Sequence, residues 1–479
     1  MGQFLIEGPH LPPLATFTFL VPLSLQCLLL HPVFPSRLSR TLRLLLTPLS
    51  LTLSFATPYR YAIEPRNQAI GVNFVFGIMG AYGIMKGLEW GLAQDLLPYT
   101  WVGFAGTTTD NGKDPSAKTP ADRREAKKRR RAYLASLRAK QAQSDGPLAV
   151  LRATLHLLIS MRGQGYDFCG TTTEPFALSQ GAFLRRLVGE IAWAHPLLTA
   201  CAAVLLEPPT SRDALLCAAW PALPVRHAHY LGEAMTGLAM GVAVFAALTL
   251  GYSLATLGAC LGTLFLRHVV PFSLLPSAVL PPPFDPREYP PLFNLRRRPQ
   301  SVALFWSHQW HSFFARPFRF LAFGPVQRVV GRIAGKLAGR TCGVLAVFAL
   351  SAWLHEFGLS TAISTLPPPG SAPLSFLTKW GGSAYFLSQG VGVVLEGAFT
   401  ALTGRKTRGW VGTVWAGLYV VCAGGWLYNA WLTQGLVREV PPVRWWAWQR
   451  FVVPMGCLLP PPVWMNAYPE SYGLERGAA

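Results

Sequence analysis

The sequence predicts an all-α, polytopic membrane protein, and three observations carry that expectation. The chain has 479 residues, 51% hydrophobic and only 13% charged, where a soluble domain carries about 25% charged residues. Its apolar residues come in blocks long enough to cross a hydrocarbon core of about 30 Å, which takes roughly 20 helical residues. The Lys and Arg residues that give a net charge of +20 lie between those blocks. That distribution is the signature of a membrane protein with a basic cytosolic face, and no nucleic-acid module is recognisable. Eight cysteines without a CxxC pair, mostly inside apolar runs, read as small hydrophobes and exclude an obvious disulfide framework or zinc site.

Taken in order, the chain offers roughly eight spans. The N-terminal MGQFLIEGPH has no positive region to open a cleavable signal, and Ile6 stands where a myristoylation pattern wants Ser or Thr. Leu14–Val33 and Leu42–Thr57 are the first two spans, with Arg37 and Arg40 between them. Ala69–Leu92 is the third; Gly77, Gly80, Gly83 and Gly87 give it the small-residue spacing that lets membrane helices approach. Lys86 and Glu89 near its end read as interfacial. Residues 107–146, containing ADRREAKKRRRAYLASLRAK, read as a solvated basic helix or a disordered segment on the cytosolic side.

Leu148–Ile159 is amphipathic and leads into the turn MRGQGYD at Met161–Asp167. Leu187–Leu206 is a span interrupted by His195-Pro196, and His229–Leu266 is one long or kinked span or a tight pair. Ser273–Pro299 is Pro-rich and ends in Arg296, Arg297 and Arg298. Ser301–Ile333, rich in aromatics and Arg, reads as amphipathic, interfacial or re-entrant. Leu337–Thr365, Ser375–Leu402 and Gly409–Leu436 complete the spans, before a Trp-rich stretch at Val443–Phe451 and a Pro-rich tail. The expected organisation is N-terminal helices over 1–106, a basic loop over 107–146, a transmembrane core over 147–436 and a tail over 437–479.

Two stretches concentrate the chemistry. FWSHQWH at Phe305–His311 packs two histidines and two tryptophans together, and SAWLHEFG at Ser351–Gly358 puts His355 and Glu356 in an apolar run. Ionisable groups at membrane depth are costly and mark functional sites. A neutral histidine in low dielectric is a good proton acceptor for an alcohol, because burial disfavours its charged form; a structural histidine bonded across helices is the bland alternative. Ser351 shares the helical face of His355, whereas Glu356 points about 100° away and need not orient the ring. His308 and His311 are near one another if helical, but carboxylates are few and no metal site is expected. Trp306 and Trp310 suit a membrane-interface belt or a substrate wall. Arg316 and Arg319 suit an anionic group or simple snorkelling. No GxSxG, Cys–His dyad or HExxH is present.

The motifs Pro290-Pro-Leu-Phe, Ser301-x-x-x-Phe-Trp-x-x-x-Trp-His311 and Ser351-x-x-x-His-Glu356 together resemble the wax-synthase-like branch of the membrane-bound O-acyltransferases. Met161-Arg-Gly-Gln-Gly-Tyr166 is similar to that branch's RGxGW element, and Tyr82–Trp90 also looks family-like. The likeness is narrowest to fungal members that act in secondary metabolism. The resemblance implies transfer of an acyl group from acyl-CoA, a co-substrate with no bound cofactor, to a hydroxyl of a hydrophobic alcohol or terpenoid-type metabolite. It also implies an endoplasmic-reticulum location. His355 would be the general base and His311 the second polar group, positioning the acceptor or bonding the thioester carbonyl. Trp306, His308, Trp310, Arg316, Ser351 and Glu356 would line the substrate, and Arg296, Arg297, Arg298 and Arg319 would meet the CoA. The family usually reads Arg-Asp before Phe-Trp and Arg-Arg between the tryptophans; this chain has Ala303-Leu304 and His308-Gln309. A transporter or lipid-binding scaffold is the alternative function, and it predicts inverted hydropathy repeats that are not evident.

Overall fold

A computed structural model describes residues 15–62, 70–103, 119–169, 179–206, 209–270, 284–294, 298–363, 375–434 and 436. Among them the chain is helical without strands; one isolated antiparallel bridge joins Trp101 and Tyr166. The long helices are α1 (Leu20–Leu28), α2 (Ser36–Arg60), α3 (Ile70–Leu92), α4 (Pro120–Ser144), α5 (Pro147–Ile159) and α6 (Gln180–Leu206). They continue with α7 (Pro209–Ala219), α8 (Val225–His268), α9 (Gly324–Ile333), α10 (Gly335–Ala362), α11 (Phe376–Thr403) and α12 (Gly409–Thr433). Six described helices, α3, α6, α8, α10, α11 and α12, are long and apolar enough to cross a membrane. The polytopic all-α fold therefore stands, with six such helices in place of roughly eight.

The shortfall lies at the N-terminus. α1 has 9 residues, about 13 Å at the helical rise and too short to span. α2 has 25 residues but a polar inward face, burying Ser39, Arg43, Thr47, Ser50 and Ser54. That face meets the glycine stripe of α3: a methyl on Gly80 would stand 2.7 Å from the Ser54 carbonyl oxygen. Gln26 of α1 pins all three helices. Its Nε2 donates to the carbonyls of Arg43 (3.0 Å) and Gly87 (3.3 Å), and its Oε1 accepts from Ser50 (2.8 Å).

Of the basic segment, Pro120–Ser144 is helix, one of the two readings the sequence left open, and residues 107–118 lie outside the described residues. α4 opens with a capping box between Thr119 and Asp122. It is docked by Leu134, only 2% exposed, and by ion pairs from Arg130 to Asp167 (2.9 Å) and Arg131 to Asp95 (2.6 Å). α8 is a single helix of 44 residues, about 66 Å long, which settles the choice between one span and a pair. α6 runs through Pro196 without a break. Arg296, Arg297, the Trp-rich stretch and the Pro-rich tail lie outside the described residues.

α10 occupies the middle of the core. Its Leu354 packs with Ala81 and Met85 of α3, and its Ala352 with Tyr385 and Phe386 of α11. Gly77 and Gly358 let α3 and α10 touch, since a methyl on Gly77 would stand 2.8 Å from the Gly358 Cα. Residues 301–323 fold against this α3–α10–α11 wall and bring FWSHQWH to it.

Candidate active site

A π-helical turn spans Phe305–Gln309, closed by the Trp310 N–H donating to the Phe305 carbonyl at 2.9 Å. Such a turn is a recurrent feature of functional sites. Trp310 then adopts extended backbone, so the helix that would make His308 and His311 neighbours does not run between them. His308 is exposed and bonds Ser307 at 2.6 Å. Trp306 turns inward, donating its indole N–H to Gln389 at 3.1 Å. Among the described residues no group of three His, Cys, Asp or Glu could hold a metal ion.

His355 is held by its own helix. Its Nδ1 lies 2.7 Å from the Ser351 carbonyl oxygen. A carbonyl can only accept, so Nδ1 carries the proton and Nε2 of the neutral ring keeps a free lone pair. Ser351 thus acts through its backbone, not its hydroxyl. The ring stacks on Phe386 at 4.1 Å and on Trp431 at 6.0 Å. Glu356 faces α11, where its Oε1 accepts from the Ser383 N–H and hydroxyl, both at 3.0 Å.

The two histidines belong to one aromatic wall. His311 packs on Trp310, Trp310 on Trp306, Trp306 on Phe386 and Phe386 on His355, with centroid separations between 4.1 and 6.4 Å. His311 Nδ1 is buried and has no hydrogen-bond partner among the described residues. Its pKa is pushed down to about 3, chiefly by burial and further by the Arg162 charge. The imidazole is therefore neutral at physiological pH.

At Ser312, the residue after His311, lies a cavity of about 40 Å³ walled by Arg162, Arg316, Arg319, Ser307 and Ser312 together with Met161, Phe168 and Ala315. Arg162 was not among the sequence-derived site residues, although it belongs to the RGxGY turn. Its Nε donates to Ser312 Oγ (3.1 Å) and its Nη1 to the carbonyls of Pro290 (3.0 Å) and Pro291 (3.1 Å). The turn needs its glycines: Gly163 and Gly165 have φ of +67° and +83°, and Phe168 and Trp101 fill the space a side chain would take.

Arg316 is committed to a carboxylate. Its Nε donates to Glu89 at 3.0 Å; Glu89 also accepts from Lys86 (3.0 Å) and the Tyr99 hydroxyl (2.8 Å). Lys86 and Glu89 are buried, at 3% and 0% exposure, so they are not the interfacial pair expected. Arg319 is exposed; burial of its head group and the Arg316 charge lower its pKa. Arg298 stacks on Trp410 at 3.9 Å and does not line the cavity.

Residues 289–378 match the membrane bound O-acyl transferase family. The matched segment contains the Pro290-Pro-Leu-Phe turn, both histidines and two of the cavity arginines, and it supports that family and a membrane acyltransferase activity. No curated protein and no solved structure matches the chain.

Proposed function

We propose that the chain is an integral-membrane O-acyltransferase that moves an acyl group from acyl-CoA to a hydroxyl of a hydrophobic alcohol or terpenoid-type metabolite, in the endoplasmic reticulum. The observation that carries this reading is the His355 Nδ1 bond to the Ser351 carbonyl, which fixes the tautomer a general base needs. Nε2 takes the acceptor's hydroxyl proton as the oxygen attacks the thioester carbonyl. The tetrahedral intermediate collapses with C–S cleavage, and the imidazolium returns the proton to the CoA thiolate. Neutral His311 offers an N–H to the carbonyl oxygen as it becomes an oxyanion.

The basic cavity supports an anionic donor. Arg162 and Arg319 have no carboxylate among their described partners, and Glu89 is shared by Lys86 and Arg316. Uncompensated cations close to a buried site favour phosphate as ligand. At about 40 Å³ the cavity holds little more than a water, so donor entry requires its walls to part.

Membranes bearing wild-type or His355→Ala protein should be incubated with labelled acetyl- and palmitoyl-CoA against a panel of alcohols and sterols. Ester should form with wild type and be lost in the variant at equal membrane insertion. Wild-type turnover by the variant would overturn the assignment.

A further inference from the structure

A helical hairpin outside the site carries a sequence repeat that the reaction does not use. Residues 328–340 read RVVG, RIAG, KLAG and R, so cation, large apolar residue and glycine recur every four positions, with Val330, Ala334 and Ala338 before the glycines. The glycines build the hairpin between α9 and α10. Gly335 makes the turn with φ of +88°, and Gly331 and Gly339 let the helices touch, since a methyl on Gly339 would stand 2.7 Å from the Gly331 Cα.

The other two registers of the repeat point outward. Arg328, Arg332, Lys336 and Arg340 are all exposed. Beside them Val329, Ile333 and Leu337 are 57%, 82% and 76% exposed. No Asp or Glu occurs anywhere between Glu288 and Glu356, so nothing in this part of the chain neutralises the four cations. Adjacent cationic and apolar stripes are the surface of a helix lying at a membrane interface.

The depth agrees. Counting equal helical rise from the Gly77–Gly358 contact, the C-terminal end of α3 at Leu92 is about level with Gly343. Gly343 packs on Phe323, the residue before α9. The hairpin tip therefore begins where the apolar slab marked by α3 ends. It lies on the same side as Asp95 and the docked basic helix α4.

We propose that the α9–α10 hairpin is a binding surface for anionic phospholipid headgroups, its four cations meeting phosphate and carboxylate while Val329, Ile333 and Leu337 enter the acyl boundary. An acidic protein segment would complement the charge but leave the apolar stripe without a use. The inference is independent of acyl transfer, because it concerns lipid contacts and not turnover.

The test reconstitutes the full chain in vesicles doped with a photoreactive phosphatidylserine or a photoreactive phosphatidylcholine and maps the labelled peptides. The hairpin should take the serine probe over the choline probe by roughly tenfold. The double variant Arg332→Gln/Lys336→Gln, which keeps Arg328 and Arg340, should lower that ratio to about threefold while labelling of α11 and α12 is unchanged. Ile333→Ser should lower labelling by both probes. High salt should collapse the preference in the wild-type chain, which needs no variant to fold. Equal labelling by the two probes, a ratio unchanged in the charge variant or in salt, or a tip that neither lipid labels would overturn the proposal.

Discussion

Glu89→Gln removes one charge and keeps the shape. Glu89 is fully buried and, among the described residues, is the only carboxylate bonded to Lys86 and Arg316, whose side chains are 4% and 23% exposed. Breaking a buried ion pair from one side costs about 3–5 kcal/mol, because the surviving charge is left uncompensated. The Gln carbonyl can still accept from Tyr99 and Arg316, which puts the expected loss near the lower end, about 3 kcal/mol. At about 2.1 cal/mol/K of unfolding entropy per residue, that is about 3 °C in Tm for a chain this long. Lys86→Met, by contrast, leaves the Glu89–Arg316 bond intact and should cost less than Glu89→Gln. The double variant should be less damaged than the sum of the two, since removing Lys86 removes one of the stranded cations. Thermal unfolding of the detergent-solubilised chain, followed by tryptophan fluorescence, reads all three. The same preparations should show a raised donor KM for Glu89→Gln, because a neutral amide oxygen holds Arg316 toward the cavity more weakly than the carboxylate does. Wild-type melting together with an unchanged KM would refute this account of the buried charges.

Four further outcomes follow from the geometry. Arg162→Lys loses the fork that spans Ser312, Pro290 and Pro291, so donor KM should rise about tenfold or more with a smaller change in kcat. His311, with a pKa near 3 against an ordinary 6.5, stays neutral above about pH 5, so replacing it should leave the acid limb of the pH–rate profile in place. The same shift makes its neutral burial costly in acid. Above pH 6.5 folded and unfolded chains bind no proton there, and as pH falls towards 3 the unfolded chain gains one that the folded chain refuses, so melting temperature should fall over that window. Gly77→Ala must part α3 from α10 by a few tenths of an ångström, because the methyl meets the Gly358 Cα at 2.8 Å. It should cost about 1–3 kcal/mol and lower kcat beyond what the lost folded fraction explains, since His355 is one turn from the contact.

What was legible in the sequence was whatever is written locally. Apolar blocks, the glycine stripe of α3, the two histidine motifs and the 100° offset of Glu356 from His355 all depend on near neighbours, and the fold class followed from them. What was not legible depends on partners far apart or on a single hydrogen bond. The anion for Arg316 is Glu89, 227 residues away; sequence alone left it open to a ligand. The π-helical turn at Phe305–Gln309 changes one bond from i+4 to i+5, which leaves no trace in residue pattern but separates His308 from His311. Leu42–Thr57 misled for another reason: its leucine content resembled a span, while the buried Ser, Thr and Arg of α2 faced a neighbouring helix instead of lipid; Leu14–Val33 misled because its helix α1 lasts only 9 residues. Arg162 stood in a quoted motif, but its role appears only when Ser312 and the two prolines fold over it.

The two halves of the site lie at different depths, and that separation bears on the donor. Through the Gly77–Gly358 contact, His355 is about level with Gly80, near the middle of α3. The arginine cavity is tied to α3 at Glu89, some 13 Å closer to its C-terminal end at the helical rise. A compact donor could not touch both levels. A thioester joined to phosphates through a long, flexible arm could, with its charge held among Arg162, Arg316 and Arg319 and its carbonyl between the histidines. The Arg162→Lys defect should therefore appear with acyl-CoA and vanish with a truncated acyl thioester that has no phosphates. Equal defects with both would mean that Arg162 acts by bracing His311 through Ser312, and that the cavity does not hold the donor's charge.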